Sequence, residues 1–281
     1  MQKMHIQYMH EYAKNIPEGD GKMKKFLLVL MSLMMLALAV GCGGGEKKTA
    51  EQPKVLKVGT EPTFAPFEFQ EKDSKDFVGF DMDLIRAVGK QLNMKVEVQN
   101  MGFDALIPAL NAGNIDVAVA GMSITPDRQK AVDMSDPYYV SGLTIVVNKD
   151  NNAVKGLKDL EGKGIAVQIG TTGAEKAGSV KGAKVKTFNT NAEVFLELKN
   201  KGVDAVIIDK PVAEYYLVKG GKDTAKLVGE TMEAESYGMS LKKGSPLTAQ
   251  INKALSDLKK NGEYDKIYEK WFGSKAPAEK K

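Results

Sequence analysis

One arginine stands where a strand pattern gives way to a helix pattern. An apolar run, DVAVAG, leads into the polar turn of AGMSITPDR at residues 120–128. In this turn Thr125 is suited to cap a helix, Pro126 to take its first position and Asp127 to lie near its positive end. Arg128 then falls in the first helical turn, where free N–H groups and a guanidinium together can bind a carboxylate. An ordinary capped helix with a solvated arginine is the alternative, and it stays open on this segment alone.

The N-terminus has the pattern of a targeting segment. Two lysines after Met23 precede an apolar run at residues 26–40, which is the order of a secretory signal peptide. A glycine and then Cys42, the only cysteine of the chain, resemble the cleavage site of a bacterial lipoprotein. We therefore expect a lipoprotein signal peptide at residues 23–41 and a lipid anchor on Cys42. Residues 1–22 show no organised pattern and are interpreted as an uncertain N-terminal extension.

A retained membrane helix is the alternative, because no charge interrupts residues 26–45 and such a stretch can span a bilayer. Both interpretations place the remaining chain outside the cytoplasm. Removal of the signal peptide also removes His5 and His10, the only two histidines, and lipidation occupies the only thiol. Ser–His and Cys–His nucleophilic pairs are then excluded, as are the usual His/Cys metal sites. We expect no catalytic residue, no metal and no cofactor.

The charge balance gives little indication of a polyanionic partner. The whole chain carries a formal charge of +4, and residues 1–41 contribute five lysines against three acids, so the remainder is near +2. No basic run with interleaved aromatic residues is present, so we expect no nucleic-acid partner. The remaining length of about 230 residues suffices for one large domain or for two lobes.

Strand and helix patterns alternate after a short linker. Residues 42–53 are small and polar and are predicted to form a flexible tether. Strand patterns then begin at residues 55, 95, 116, 143, 164, 184 and 204, and helix patterns begin at residues 79, 103, 191 and 249. This alternation predicts right-handed βαβ units with parallel sheets. Two sets of such units predict two α/β lobes with a ligand cleft between them.

Nine short motifs occur in order along the exported part of the chain. They are TEPTFAPFEF (60–69), GFDMDL (79–84), FDALIPAL (103–110), AGMSITPDR (120–128), SDPYY (135–139), IGTTG (169–173), DAVIID (204–209), YGMSL (237–241) and YDKIYEKWFG (264–273). Together they resemble the polar amino-acid family of bacterial solute-binding proteins that serve ABC importers. The resemblance extends from about residue 55 to residue 273, which is essentially the whole exported domain.

The resemblance implies an α/β fold of two lobes, the type II periplasmic-binding-protein-like fold, with the ligand cleft between them. Two linking strands are expected near residues 138–142 and 233–237, and closure on the ligand by hinge rotation is the expected motion. The implied domains are a first lobe at 54–140 plus 238–275, a second lobe at 141–237 and a tail at 276–281.

The resemblance also implies how an amino acid is held by its main-chain groups. Arg128 is expected to pair with the ligand α-carboxylate, helped by the main-chain N–H groups of Ser123 and Thr171. The α-ammonium is expected at the Gly121 carbonyl, the Ser123 hydroxyl and Asp209. Asp209 ends a buried strand pattern, where a cationic partner would offset the cost of burying its charge. Capping of the helix that follows is the alternative role for Asp209.

Further positions of the site follow from the same resemblance. Phe64 and Phe103 match aromatic residues that sandwich the ligand side chain, although isolated aromatics are more often core residues. Ala120, Met122 and Thr172 complete the set of expected ligand-binding residues.

Glu61 is the position most informative about the ligand side chain. It follows the first strand, where related proteins place an acid facing that side chain. The chain looks closest to glutamine-binding members, yet it has Gln168 where those have a lysine and Ile208 where they have a histidine. An acid without that lysine lacks a counter-charge, which a cationic ligand would supply. Gln168 beside Glu61 also resembles arginine-binding members, so we favour arginine or another basic amino acid over glutamine.

The sequence is compatible with three functions. We favour an exported, monomeric lipoprotein at the outer face of the cytoplasmic membrane or in the periplasm, which delivers an amino acid to ABC importer permease subunits. An extracytoplasmic dehydratase on the same fold would need a poised acid or base, and Glu61 and Asp209 both have binding roles. The sensing part of a receptor is less favoured, because no membrane span or signalling domain follows the motifs.

Overall fold

The structure is a computed structural model in which residues 54–232 and 234–277 are described. They belong to one compact unit, Pro53–Lys281. The predicted extension, signal peptide, lipidated Cys42 and tether lie outside the described residues. Within the described part, no helix is long and apolar enough to cross a membrane.

The first sheet contains both early and late parts of the chain. Its strands are β1 (Lys54–Thr60), β5 (Met94–Asn100), β6 (Val117–Ala118), β7 (Val132–Met134) and β14 (Ser240–Lys242), in the order β5-β1-β6-β14-β7. β1 pairs in parallel with β5 and β6, whereas β14 is antiparallel to β6 and β7. In β1, Leu56 and Val58 are fully buried and alternate with outward-facing residues, as the pleat requires.

The second sheet is built from the middle of the chain. Its strands are β8 (Tyr139–Asn148), β9 (Gly164–Gln168), β10 (Lys184–Phe188), β11 (Ala205–Asp209) and β12 (Ala225–Val228), in the order β10-β9-β11-β8-β12. β9 is parallel to β10 and β11, and β8 is antiparallel to β11 and β12. Each sheet with its helices is called here the first or the second lobe.

Two strands connect the lobes. The first residues of β8 pair with β13 (Ala234–Tyr237), and the later residues of β8 pair with β11 in the second sheet. The chain therefore leaves the first lobe along β8 and returns along β13, close to the two segments expected to link the lobes. The domain boundaries given above stay a prediction.

Eight α-helices cover the two sheets within the described residues. They are α1 (Phe80–Gln91), α2 (Leu106–Ala112), α3 (Pro126–Ala131), α4 (Thr172–Gly178), α5 (Asn191–Lys199), α6 (Lys210–Val218), α7 (Leu247–Lys260) and α8 (Glu263–Phe272). α1 packs on β5 and on α7 and α8, while α5 packs on β9, β10 and β11. Aromatic rings from both linking strands pack against the first lobe: the Phe67 ring lies 4.8 Å from that of Tyr139 and 5.2 Å from that of Tyr237.

The structure corrects two expectations about the sheets. Both are mixed rather than parallel, because β14 and β8 run against their neighbours. A third small sheet, which the sequence patterns did not indicate, consists of β2 (Thr63–Phe64), β3 (Glu68–Gln70) and β4 (Phe77–Val78). Its strands of two or three residues are too short to show a periodicity.

Candidate functional site

The ends of several strands surround a cleft between the two lobes. The cleft holds about 310 Å³ of empty space, including the part that is open to solvent. It is lined by Glu61, Phe64, Glu68, Phe103, Ala120, Gly121, Ser123, Arg128, Gln168, Thr171, Thr172 and Asp209. Eleven of these twelve residues were predicted from the sequence.

Arg128 lies in the first turn of α3, and the expected cap is present. Thr125 precedes the helix, and its hydroxyl accepts a hydrogen bond from the Arg128 main-chain N–H at 3.3 Å. The guanidinium is not solvated: Nη1 donates to the Ser123 carbonyl at 2.8 Å and Nη2 donates to the Gly170 carbonyl at 3.0 Å. Its central carbon lies 5.3 Å from the centre of the Phe103 ring. Burial lowers the pKa of Arg128, although a guanidinium keeps its proton in proteins.

Arg128 retains donors for a ligand. Two of its five N–H groups bind carbonyls, and it forms no ion pair within the described residues. The main-chain N–H groups of Ser123 and Thr171 also find no acceptor in this part of the chain. A buried cation with free N–H donors beside it is an arrangement that binds a carboxylate.

Glu61 is a buried acid in the cleft. It is the residue expected to face the ligand side chain, whereas Arg128 is expected to bind the α-carboxylate. Glu61 follows β1, and its Oε2 accepts hydrogen bonds from the Thr63 hydroxyl at 2.7 Å and from Gln168 Nε2 at 2.8 Å. Oε1 accepts no side-chain hydrogen bond from the described residues, and Glu61 lines the cleft. Burial raises the pKa of Glu61, and no lysine or arginine pairs with it in the described chain. Glu61 therefore offers one free carboxylate oxygen and lacks a protein counter-ion.

Gln168 holds Glu61 rather than facing the cleft freely. Its Nε2 donates to Glu61 and to the Asn189 carbonyl at 3.0 Å, and its Oε1 accepts from Asn191 Nδ2 at 2.9 Å. Both ends of this amide are satisfied by protein groups. Because Gln168 belongs to the second lobe and Glu61 to the first, their contact also joins the lobes.

Asp209 lies at the end of β11, on the second-lobe side of the cleft. It precedes α6 but its side chain makes no capping bond to that helix, so the capping alternative is wrong. Its Oδ1 accepts from the Tyr237 hydroxyl at 2.5 Å and the Ser141 hydroxyl at 3.1 Å. Burial raises the pKa of Asp209 to about 7, with a smaller contribution in the same direction from the nearby charge of Glu235.

Two aromatic rings form the apolar part of the cleft. Phe64 belongs to β2 and packs over Gly121, which has a φ of +52°. A Cβ at residue 121 would lie 2.5 Å from the Phe64 ring, so glycine is needed both for the backbone and for the contact. Phe103 begins a short 3-10 helix, Phe103–Ala105, and faces Arg128.

Met122 is the one predicted site residue that does not line the cleft. Its side chain is buried in the first lobe, where its sulfur accepts a hydrogen bond from the Ser240 hydroxyl at 3.0 Å. Met122 belongs to a buried apolar cluster with Leu106 and Leu110, so its side chain is part of the first-lobe core.

Glu68 is a residue of the cleft that was not expected from the sequence. This residue lines the cleft, is only 1% exposed, and pairs across the small sheet with Phe64. When both groups are ionised, neither of the Glu68 carboxyl oxygens, nor Oδ1 of Asp81, has a donor among the described residues. A proton on Glu68 supplies a donor to Asp81, and burial next to the Asp81 charge raises the pKa of Glu68 well above its usual range. The sequence pattern that indicates Glu68 is an acid between the two aromatic residues of the motif APFEF.

We expect Glu68→Gln to raise thermal stability at neutral pH. The raised pKa means that unfolded Glu68 ionises above pH 4.5 while the folded residue keeps its proton, so wild-type stability falls as the pH rises. Glutamine removes this dependence and can still donate to Asp81. Thermal unfolding at pH 5 and pH 8 should show a gain of about 3–10 °C at pH 8 and a smaller gain at pH 5. The exposed Glu71→Gln is the control, and an equal loss of stability at both pH values would contradict the assignment.

Glu235, a residue of β13, is a second group that the sequence analysis missed. One of its oxygens, Oε2, accepts from the Ser123 hydroxyl at 2.6 Å and from the Thr172 hydroxyl at 2.8 Å. The sequence has this acid in a segment expected to link the lobes, but the acid belongs to none of the nine motifs. Within the described residues, no group of three or more His, Cys, Asp or Glu side chains is arranged to hold a metal ion.

Comparison with known proteins identifies the family. The model of bacterial extracellular solute-binding proteins, family 3, matches residues 56–274. The chain belongs to this family. A curated relative, the arginine-binding extracellular protein ArtP of Bacillus subtilis, is 37% identical over 255 residues, covering 89% of this chain and 98% of the relative. The L-cystine-binding protein TcyA of the same organism is 34% identical over 265 residues, covering 89% and 98%.

Solved structures of amino-acid-binding proteins have the same fold. An ancestral arginine-binding protein bound to arginine is 48% identical with a TM-score of 0.76, covering 79% of this chain and 100% of that chain. The ancestral arginine-binding protein bound to glutamine is 48% identical with a TM-score of 0.74, covering 80% and 100%. An ancestral amino acid-binding protein described as a precursor of cyclohexadienyl dehydratase is 42% identical with a TM-score of 0.72, covering 78% and 95%. The predicted two-lobed, type II periplasmic-binding-protein fold is confirmed, and the relatives are predominantly amino-acid-binding proteins.

Proposed function

We propose that this protein binds a basic amino acid, arginine foremost, outside the cytoplasm and delivers it to an ABC importer when the two lobes close. The observation that carries the proposal is Glu61, a buried carboxylate in the cleft with one free oxygen and no cationic partner in the described chain. A buried charge without a counter-ion is costly, and a cationic ligand side chain supplies that counter-ion.

The remaining polar groups suit the main-chain end of an amino acid. Arg128 and the free N–H groups of Ser123 and Thr171 are assigned to the α-carboxylate. Asp209 and the Gly121 carbonyl are assigned to the α-ammonium. Among the described residues the cleft thus contains one cation, Arg128, and the two acids Glu61 and Asp209, so a ligand with one anionic and two cationic groups matches these charges.

The aromatic rings support a planar cation. Phe64 and Phe103 bound the cleft, and a guanidinium or ammonium over an aromatic face is attracted by the ring quadrupole. The name of ArtP and the arginine-bound ancestral structure favour arginine among the basic amino acids.

Glutamine is the second candidate ligand, favoured by the glutamine-bound ancestral structure. Glutamine would leave the Glu61 charge uncompensated, whereas arginine would not. An enzymatic role is not proposed, because Glu61, Asp209 and Arg128 all have binding assignments. The predicted lipid anchor on Cys42 is part of the proposal and is supported by the sequence pattern of the N-terminus alone. A monomeric state stays a prediction.

The proposal is tested by calorimetric titration of the protein with arginine, lysine, glutamine, histidine and cystine. We expect arginine to bind most tightly. Prephenate-like acids are included with an assay for turnover, because of the dehydratase-related structure. Absence of binding by every amino acid together with turnover of such an acid would overturn the proposal.

Amino-acid affinity is expected to fall in acid through Asp209. Its pKa of about 7 means that a proton must leave before the carboxylate can pair with the α-ammonium. Affinity for glutamine should therefore fall by up to about tenfold per pH unit below pH 7 and level off above it. Titrations at pH 5.5, 7 and 8.5 measure this, and glutamine is used because it needs no ionised Glu61. Asp209→Asn should bind more weakly with no pH dependence in this range; a flat wild-type profile would contradict the assignment.

A further inference from the structure

The side chain of Glu235 bridges the two halves of the ligand site. In the ladder between β8 and β13, Glu235 lies directly opposite Ser141, and Tyr237 lies opposite Tyr139. Residues directly opposite one another in a ladder lie on the same face, and so do residues two apart along one strand. On this face the hydroxyls of Ser141 and Tyr237 both donate to Asp209. Two side chains of this face therefore contact Asp209, which itself lines the cleft.

The two hydroxyls that donate to Glu235 come from different lobes. Ser123 follows β6 of the first lobe, and Thr172 is the first residue of α4 in the second lobe. Both side chains line the cleft, and both donate to the same oxygen, Oε2. A single carboxylate oxygen thus joins a ligand-site hydroxyl of each lobe.

The bond to Ser123 lies within a rigid region. The chain is attached to the first lobe directly after Glu235, because the Ile124 N–H donates to the Ser236 carbonyl at 2.7 Å and the Gly238 N–H donates to the Met122 carbonyl at 3.0 Å. Tyr237 also packs on Phe67. The bond to Thr172 instead reaches the second lobe, so it depends on how closely that lobe approaches the linking strand.

We propose that Glu235 is a positioning residue for amino-acid recognition, which holds the Ser123 and Thr172 hydroxyls and joins the lobes around the ligand. The inference rests on the proposed function. A hydroxyl has one hydrogen and two lone pairs, so donation to Glu235 leaves lone pairs for other donors. The Ser123 hydroxyl, oriented in this way, presents an acceptor to the α-ammonium rather than a donor to the α-carboxylate. Glu235 thereby fixes which end of the amino acid Ser123 recognises.

Glu235→Ala and Glu235→Gln test this role by titration with arginine and with glutamine. Alanine releases both hydroxyls and should weaken the affinity for both amino acids alike, by about 10- to 100-fold, as expected for bonds to a charged acceptor. Glutamine keeps an amide oxygen that can accept from both hydroxyls, so Glu235→Gln should stay within about threefold of wild type. Glu230→Ala, an exposed acid that precedes the same linking strand, is the control and should bind as wild type does.

A double-mutant cycle separates positioning from a general structural effect. Ser123→Ala with Thr172→Val removes the groups through which Glu235 acts, so adding Glu235→Ala to that variant should cause no further loss of affinity. Full additivity would overturn the proposal, as would wild-type affinity in Glu235→Ala or equal losses in the alanine and glutamine variants. Failure of the wild-type protein to bind any amino acid would instead reject the proposed function.

Discussion

Arg128→Ala is expected to abolish measurable binding of every amino acid, whatever its side chain. The guanidinium is buried over Phe103 with three N–H groups free, and no other cation lines the cleft within the described residues. Removing one partner of a buried charge pair costs about 3–5 kcal/mol, which corresponds to a loss of roughly 100- to 5,000-fold. Titrations with arginine and glutamine should show the same loss, because both ligands have the same α-carboxylate.

Two further variants test whether the loss is specific to Arg128 and to the shape of its guanidinium. Arg86→Ala is the matched control, since Arg86 is the only other arginine, is largely exposed and binds the Phe77 carbonyl. Arg128→Lys keeps a charge but loses the forked geometry, so it should bind both ligands with intermediate affinity. Wild-type affinity in Arg128→Ala, with unchanged thermal stability, would remove Arg128 from the site.

Glu61→Gln is expected to separate arginine from glutamine. The amide oxygen of the new residue can still accept from Thr63 and Gln168, so the wall of the cleft is retained. The counter-charge is lost, and the affinity for arginine should fall by about 10- to 100-fold while that for glutamine changes by less than about threefold.

The control for Glu61→Gln is the exposed acid Glu97, whose substitution by glutamine removes the same charge far from the cleft. Glu97→Gln should leave both affinities unchanged. Equal losses of arginine and glutamine affinity in Glu61→Gln would show that Glu61 supports the cleft without selecting a cation. Such a result would leave the Arg128 assignment intact.

The main strands and helices were predictable because their patterns are long. β1 shows an alternating pattern, β9 and β11 show buried apolar runs of four or five residues, and α1 and α7 show helical spacing over more than ten. Strand direction was not predictable in the same way. β8 runs antiparallel to β11 and β12 because it enters the second sheet as a linking strand, which no local periodicity records.

The site was predictable where a residue type and a motif coincided. Arg128 and Asp209 were found through the motifs that contain them, and the structure brings both to one cleft. Glu68 was missed because its contact with Asp81 forms only on folding, and Glu235 was missed because its partners are far away in the sequence. Glu235 meets Ser123 across 112 residues and Thr172 across 63, and only the folded arrangement of the linking strands places them together.

The central claim is that a cationic ligand side chain compensates the negative charge of Glu61. The most direct test is the ratio of arginine affinity to glutamine affinity in the wild-type protein. Calorimetric competition at pH 8, where Asp209 is ionised, gives this ratio without interference from its titration. Arginine is predicted to bind at least about tenfold more tightly than glutamine, as one buried counter-charge would provide. Equal affinities, or tighter binding of glutamine, would contradict the account.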